Sequence, residues 1–365
     1  MRLLLLSTPV GPLGSGLGGG VELTVNNLAR VLSARGHQVA IAAPASSILP
    51  NDLLSNRSIS LVEILGSWQP SAQTQLRSAP LTTGSALSNM WEYARQVQSR
   101  YDLLVNFAYD WLPFYLTPFF STPIAHFVSM GSLSDAVDEA IARIGEQMPG
   151  RLGGYTRSQA STFVQTPIDR WQILGSGIDL NQYDYCDQPG DALAWVGRIS
   201  PEKGLEDAVA AATMARRPLK IFGKLENEAY WQSVQALIAK ASVQIDYCGF
   251  LPTAELQKQL GASQALLVTP HWMEAFGIVA IEALACGVPV IAYRLGGPAE
   301  IVRSGETGWL VDSGDVAGLV GAIARLDQIH RRQCRRAAET TYSLAAWGDR
   351  FERWFYEILS GMMSS

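Results

Sequence analysis

The sequence predicts an α/β chain folded as two doubly wound parallel-sheet domains. Three observations carry that prediction. Short apolar runs such as 3–7, 39–43 and 193–196 read as strands buried on both faces. Helices alternate with them, as over 21–35, where Leu23, Val25, Leu28, Val31 and Leu32 recur at helical spacing before Gly36 stops the helix. The 365 residues exceed one ordinary domain and fit two, each able to bury a core of its own.

Composition narrows the function. Hydrophobic residues at 48% and charged residues at 17% describe a folded globule. A net charge of −5, with no basic run interleaved with aromatics, argues against a nucleic-acid partner. Cys186, Cys248, Cys286 and Cys334 are far apart and form no CxxC pair, so neither a zinc site nor a disulfide framework is expected. The run Leu3 to Leu6 is too short for a signal segment, and nothing approaches the ~18 apolar residues of a membrane span. A cytoplasmic protein with small-molecule substrates and no integral membrane segment is expected.

In the first half, the strand 3–7 leads into a loop, 8–20, that holds Gly11, Gly14, Gly16, Gly18, Gly19 and Gly20. Its place before a helix suits an anion, but Gly14-Ser15-Gly16-Leu17-Gly18 lacks the tight turn of a dinucleotide fingerprint. A phosphate cradle and a bland flexible loop both remain open. Strands follow at 39–43 and 59–64, a polar loop at 66–84, a helix at 88–100 and a strand at 103–107. Residues 107–120 concentrate Tyr109, Trp111, Phe114, Tyr115 and Phe119 around Asp110 and Pro113, as either core or the floor of a pocket for a flat acceptor. The strand 123–128 ends beside His126 and Ser129, and a lone His there reads first as a core residue. A helix over 133–146 follows, and residues 154–157 and 171–174 continue the alternation of strand and helix. The polar stretch 186–191 marks the boundary between domains 1–187 and 188–343. A last helix within 344–365, with Trp347, Phe351, Trp354, Phe355 and Ile358 on one face, is expected to cross back to the first domain.

The second half opens with the strand 193–196, the loop 197–204 and a helix at 205–214. Arg198 and Lys203 offer a forked donor and a mobile point charge before a helix N-terminus, which is what a pyrophosphate requires, although solvated surface charge is the blander reading. Further strands are expected at 219–222, 243–247, 265–269 and 289–293. Between the last two, a helix is expected over 276–285, with Glu274 just before its first turn and Glu282 on it. At ~100° per residue, their eight-residue spacing puts them about 80° apart, on one side of a cleft. An acid at a helix N-terminus plus one solvated Glu is the alternative. Gly296, Gly297 and Glu300 lie past the final strand, at a carboxyl end where open sheets bind ligands.

Taken in order, these motifs resemble the family 4 glycosyltransferases of GT-B architecture, two facing Rossmann-like domains with an interdomain cleft. The matching set is Gly18-Gly19-Gly20-Val21-Glu22, Gly177-Ile178-Asp179, Gly197-Arg198 with Lys203-Gly204, Glu274 and Glu282 with Phe276-Gly277, Gly287-Val288-Pro289-Val290, and Gly296-Gly297 with Glu300. The resemblance implies a retaining hexosyltransferase with UDP-glucose as donor substrate and no cofactor. Arg198 and Lys203 would hold the diphosphate, helped by amides of Phe276, Gly277 and Ile278 and by Gly18, Gly19 and Gly20. Glu282 would take the ribose hydroxyls, Glu274 the donor sugar, and Phe250 and Leu251 would lie near the base. Glu274, Arg198 and Lys203 would be catalytic. No Asp-x-Asp motif is present, in keeping with metal-independent neutralisation of the diphosphate. Many members carry a His where this chain has Ser129. Runs 7–16, 89–95, 106–120 and 127–132 look like the cyanobacterial UDP-glucose:tetrahydrobiopterin glucosyltransferases, which implies a reduced pteridine acceptor held by Tyr109, Trp111, His126 and Ser129. A sugar or lipid acceptor, a GT-B epimerase or phosphorylase, and a non-catalytic nucleotide-sugar-binding protein are the alternatives. An NAD-dependent oxidoreductase fits least, since the fingerprint is absent.

Overall fold

The computed structural model describes residues 1–17, 19–69 and 84–363. Gly18 and most of the loop expected over 66–84 lie outside them. The chain divides into two compact units, Met1–Gly177 with Leu344–Ser365, and Ile178–Ser343. The division falls after Gly177, earlier than the polar stretch at 186–191. Composition marks where a chain is tolerant of exposure, and this unit instead begins with Ile178, whose amide already donates to the Tyr342 carbonyl at 2.9 Å.

The first unit holds seven strands: β1 (Arg2–Leu6), β2 (Gln38–Pro44), β3 (Ile59–Ile64), β4 (Leu103–Asn106), β5 (Ile124–Val128), β6 (Leu152–Gly154) and β7 (Trp171–Ile173). They run in the order β3-β2-β1-β4-β5-β6-β7, every pair parallel. Leu3, Leu4, Leu5 and Leu6 are wholly buried, so β1 is covered on both faces, which is why its sequence shows an apolar run in place of alternation. Leu4 and Leu6 pack with Met90, Trp91 and Ala94 of the helix Ala86–Val97.

The helix Leu344–Met363 belongs to this unit. Its Trp347, Phe351, Trp354, Phe355 and Ile358 are buried, Trp347 Nε1 donates to the Gly175 carbonyl at 3.1 Å, and Trp354 Nε1 to that of Gly150 at 2.6 Å. On its other flank Arg35 pairs with Asp349 and Glu352 at 2.7 and 2.8 Å.

The second unit repeats the winding with β8 (Leu193–Val196), β9 (Leu219–Phe222), β10 (Ile245–Tyr247), β11 (Leu266–Val268), β12 (Val290–Tyr293) and β13 (Gly308–Val311), in the order β10-β9-β8-β11-β12-β13, all parallel. The edge strand β13 has no counterpart among the strands expected from the sequence. Gly308 is required there, since a Cβ would stand 1.8 Å from the Val290 carbonyl oxygen. In each sheet the strand order reverses at one point, β1/β4 and β8/β11, and there the loops leaving the two carboxyl ends diverge and open a crevice. Among the described residues no helix is long and apolar enough to cross a membrane.

Candidate active site

In the second unit the reversal sets β8 beside β11, and the segments leaving these two strands carry Arg198, Lys203 and Glu274. The Lys203 ammonium pairs with the Glu274 carboxylate and lies 5.3 Å from the centre of the Trp272 ring. Trp272 Nε1 donates to the same Glu274 oxygen at 3.2 Å. Arg198 pairs with Glu226 and, at 3.1 Å, with Glu202. Two cations thus sit at one strand end, each balanced by carboxylates with which a diphosphate has to compete.

Glycines make this convergence possible. Gly204 adopts φ 61°, and a Cβ on it would lie 2.0 Å from the Thr269 carbonyl oxygen, so the loop after β8 packs directly onto the end of β11. The Thr269 hydroxyl donates to the Gly204 carbonyl at 2.7 Å. Gly296 and Gly297 do the same for Glu274: a Cβ would come within 2.4 Å of the Glu274 carbonyl oxygen at the first and 2.2 Å of the Phe276 carbonyl oxygen at the second. The Gly297 amide donates to the Glu274 carbonyl at 2.7 Å, fixing the loop that presents its side chain.

Glu274 is not in the helix. Gly277, left-handed at φ 91°, is the N-cap, and the helix spans Ile278–Ala285 with no side chain capping its start. The expected helical phase from Glu274 to Glu282 is therefore broken at Gly277, and the two carboxylates have different settings. Glu274 is a fifth exposed at its side chain, at 20%. Glu282 is 9% exposed, its Oε1 accepts from the Tyr183 hydroxyl at 2.7 Å, and burial pushes its carboxyl up to about 7. Burial beside that carboxylate also raises Tyr183 above the ordinary phenol range. Ile278 opens the helix, while Phe276 is buried with its ring 6.2 Å from that of Tyr342, leaving only its backbone to face a ligand. Phe250, exposed, and Leu251, half-buried, lie in the turn beyond β10.

In the first unit the loop after β1 is spoken for. Glu22 Oε2 accepts from the Gly14 amide at 2.8 Å and the Gly16 amide at 3.3 Å, so an acid of the chain itself fills the role an anionic ligand would take there. Gly19, at φ 56°, caps the helix Gly20–Ala34, and a Cβ on it would meet nothing within 4 Å. His126 departs from its expected place among acceptor contacts. It is fully buried, stacked on Phe114 at 4.5 Å, with Nδ1 bonded to Asn106 at 3.2 Å and Nε2 to Thr117 at 2.8 Å. Burial drops it to about 3, so it is a neutral core residue. Ser129 is buried just past β5, and the Tyr109 hydroxyl accepts from the Leu133 amide at 2.9 Å. The aromatic run divides: Phe107 and Phe114 are core, whereas Trp111 and Tyr115 are exposed and stacked at 4.4 Å.

Residues 189–341 match the family model described as "Glycosyl transferases group 1". Over that segment the chain is similar to group 1 glycosyltransferases. A D-inositol 3-phosphate glycosyltransferase of Pseudarthrobacter chlorophenolicus is 28% identical over 95% of this chain and 92% of its own. A glycogen synthase of Mycobacterium tuberculosis is 26% identical over 88% and 85%. Among solved structures, the sucrose-phosphate synthase of Thermosynechococcus elongatus superposes with a TM-score of 0.78 at 19% identity, covering 99% of this chain and 100% of that one. The Anabaena protein Alr3699/HepE, solved with UDP and glucose, gives 0.73 at 17% identity over 98% and 100%. These likenesses establish the GT-B fold of two parallel-sheet α/β domains.

Within residues 189–341 a supporting set gives no sign of itself in the sequence. His271 Nε2 bonds Asp207 at 2.8 Å, and the Tyr293 hydroxyl donates to the same Asp207 oxygen at 2.6 Å. Asp207, in the first turn of the helix Leu205–Ala215, so joins the segment after β11 to β12 and fixes the neighbourhood of Lys203. An acid in a first turn reads as dipole complement, and nothing in its spacing pointed to His271.

Proposed function

We propose that the protein is a retaining, metal-independent glycosyltransferase that moves glucose from UDP-glucose to a small acceptor in the cytoplasm, the acceptor being a reduced pteridine such as tetrahydrobiopterin. The observation that supports it best is the meeting of Arg198, Lys203 and Glu274 at the carboxyl ends of β8 and β11, before a helix start that no side chain caps. In this reading the diphosphate displaces Glu274 from Lys203 and takes charge from Arg198, Lys203 and the amides of Gly277 and Ile278. As the anomeric carbon–oxygen bond breaks, negative charge grows on the leaving UDP and positive charge on the sugar. The cations favour the first and Glu274 the second. The acceptor hydroxyl attacks on the face that UDP leaves and passes its proton to the departing phosphate, which retains the configuration. Glu282 receives the ribose hydroxyls, Phe250 and Leu251 lie near the base, and Gly19 and Gly20 approach the donor. Trp111, stacked with Tyr115, supplies the flat surface on which a pteridine would lie, with Tyr109 and Ser129 near its edge.

A polyol acceptor is the second reading, favoured by the relatives named for D-inositol 3-phosphate. The test is incubation with UDP-glucose, with and without EDTA, and either a reduced pterin or D-inositol 3-phosphate. UDP release with an α-glucosylated pterin, unchanged by the chelator, is the expected result. Product from the inositol phosphate alone overturns the pteridine assignment, and a donor that binds without turnover with any acceptor overturns the enzyme.

A further inference from the structure

We propose that Tyr183 is a positioning residue for donor recognition: its hydroxyl orients the Glu282 carboxylate so that the second oxygen faces a vicinal diol. The inference rests on the reading above that Glu282 receives the ribose hydroxyls. Tyr183 is buried, and its hydroxyl donates to Glu282 Oε1 at 2.7 Å. Glu282 Oε2 makes no hydrogen bond among the described residues, and the residue retains 9% exposure, so one oxygen is committed and the other is reachable. Tyr183 is itself held. Its carbonyl accepts from Arg335 Nη1 at 2.7 Å, and the same nitrogen donates to the Ala285 carbonyl at 2.6 Å, so one guanidinium joins the Tyr183 backbone to the C-terminal turn of Glu282's helix.

The pairing also decides the charge. A diol donates two hydrogen bonds and needs an ionised acceptor. Burial drives the Glu282 carboxyl up, and the Tyr183 hydroxyl, which bonds the ionised form, pulls it part of the way back, leaving it at about 7. The other groups around the pair are Cys286 on the same helix, whose thiol burial raises to about 12, Asp179 and Asp184 flanking Tyr183, and Arg331 and Arg335 beyond Cys286. In Tyr183→Phe the hydroxyl is gone, and Glu282 titrates at higher pH.

The test is the Kd of UDP measured calorimetrically from pH 6 to 9 for the full chain, Tyr183→Phe and Glu282→Gln. Wild-type affinity is expected to weaken as pH falls through about 7, where the carboxylate protonates. In Tyr183→Phe the midpoint moves up, affinity at pH 7 drops about fivefold for a pKa displaced upward by one unit from about 7, and raising the pH recovers it. The KM for UDP-glucose rises more than kcat falls. An unmoved midpoint in Tyr183→Phe, with Glu282→Gln weakened, overturns the role of Tyr183 and leaves Glu282 standing. A Glu282→Gln variant that binds UDP as well as wild type overturns both.

Discussion

Glu274 and Glu282 lie on neighbouring segments yet belong to different electrostatic worlds, and each yields its own prediction. Glu274 is held by Lys203 and Trp272 at a strand end. Glu274→Gln keeps the shape and the indole hydrogen bond but removes the charge, so sugar transfer is expected to fall by about 100- to 1,000-fold, the range for losing one preorganised electrostatic group. Rates of UDP release set against the unfolding midpoint check this; a rate loss matched by a collapsed midpoint assigns the residue to structure. Glu282 carries the stability prediction. Its carboxyl lies at about 7 in the folded chain, above the ordinary 4.5, because burial disfavours the charge. The folded state therefore binds the extra proton between those two values, and stability falls as pH rises through that window, by about 3 kcal/mol in all, before levelling above it. Glu282→Gln removes this slope, so the variant should gain on wild type between pH 5 and 8 in urea titrations, and parallel curves would show that Glu282 does not titrate there. The strand-end positions of Arg198, Lys203 and Glu274 were legible in the sequence because each lies on the segment that leaves a buried strand. Tyr183 was not, since its partner is 99 residues away and only the fold joins them.

The elements that could be read were those buried on both faces. Leu3 to Leu6 and Leu193–Val196 stand as unbroken apolar runs, and Leu219–Phe222 departs from one only at Lys220. What escaped was set by backbone approach, which leaves only a glycine as its trace. Gly277, left-handed at the N-cap, starts the helix two residues later than expected and takes Glu274 out of its phase, and Gly308 admits the edge strand β13 against Val290. Gly296 and Gly297 were noticed as a pair at a carboxyl end, but their task is to admit the Glu274–Phe276 backbone. Gly297→Ala would place a Cβ 2.2 Å from a carbonyl oxygen, with backbone and not a flexible side chain in the way. The loop must shift, at a cost of about 1–3 kcal/mol, and Glu274 moves with it. The expected result is a lower urea midpoint together with a rate loss approaching that of Glu274→Gln. Full activity at a reduced midpoint would mean that the Glu274 side chain tolerates displacement of its loop.

At the scale of the whole molecule, the chain completes its first unit last. Residues 1–177 form a seven-stranded sheet whose core is closed by a helix from the other end of the sequence, after the entire second unit has been made. Phe351 is the centre of that closure. It is wholly buried and meets Phe127 of β5 at 5.3 Å between ring centres, Trp347 at 4.9 Å, Trp354 at 5.9 Å and Phe355 at 5.7 Å. Removing the ring costs the transfer energy of its surface and leaves a cavity that four large aromatic neighbours cannot collapse to fill, about 3–5 kcal/mol. The second unit has a separate core around Trp195, Ile221 and Ile291, none of which depends on Phe351. Phe351→Ala should therefore lower hydrogen-exchange protection throughout β1, β2, β4 and β5 while leaving β8, β9, β11 and β12 as protected as in the wild type. Loss of protection shared equally by both sheets would show that the two units unfold as one, and that the last helix closes the whole chain instead of the first unit alone.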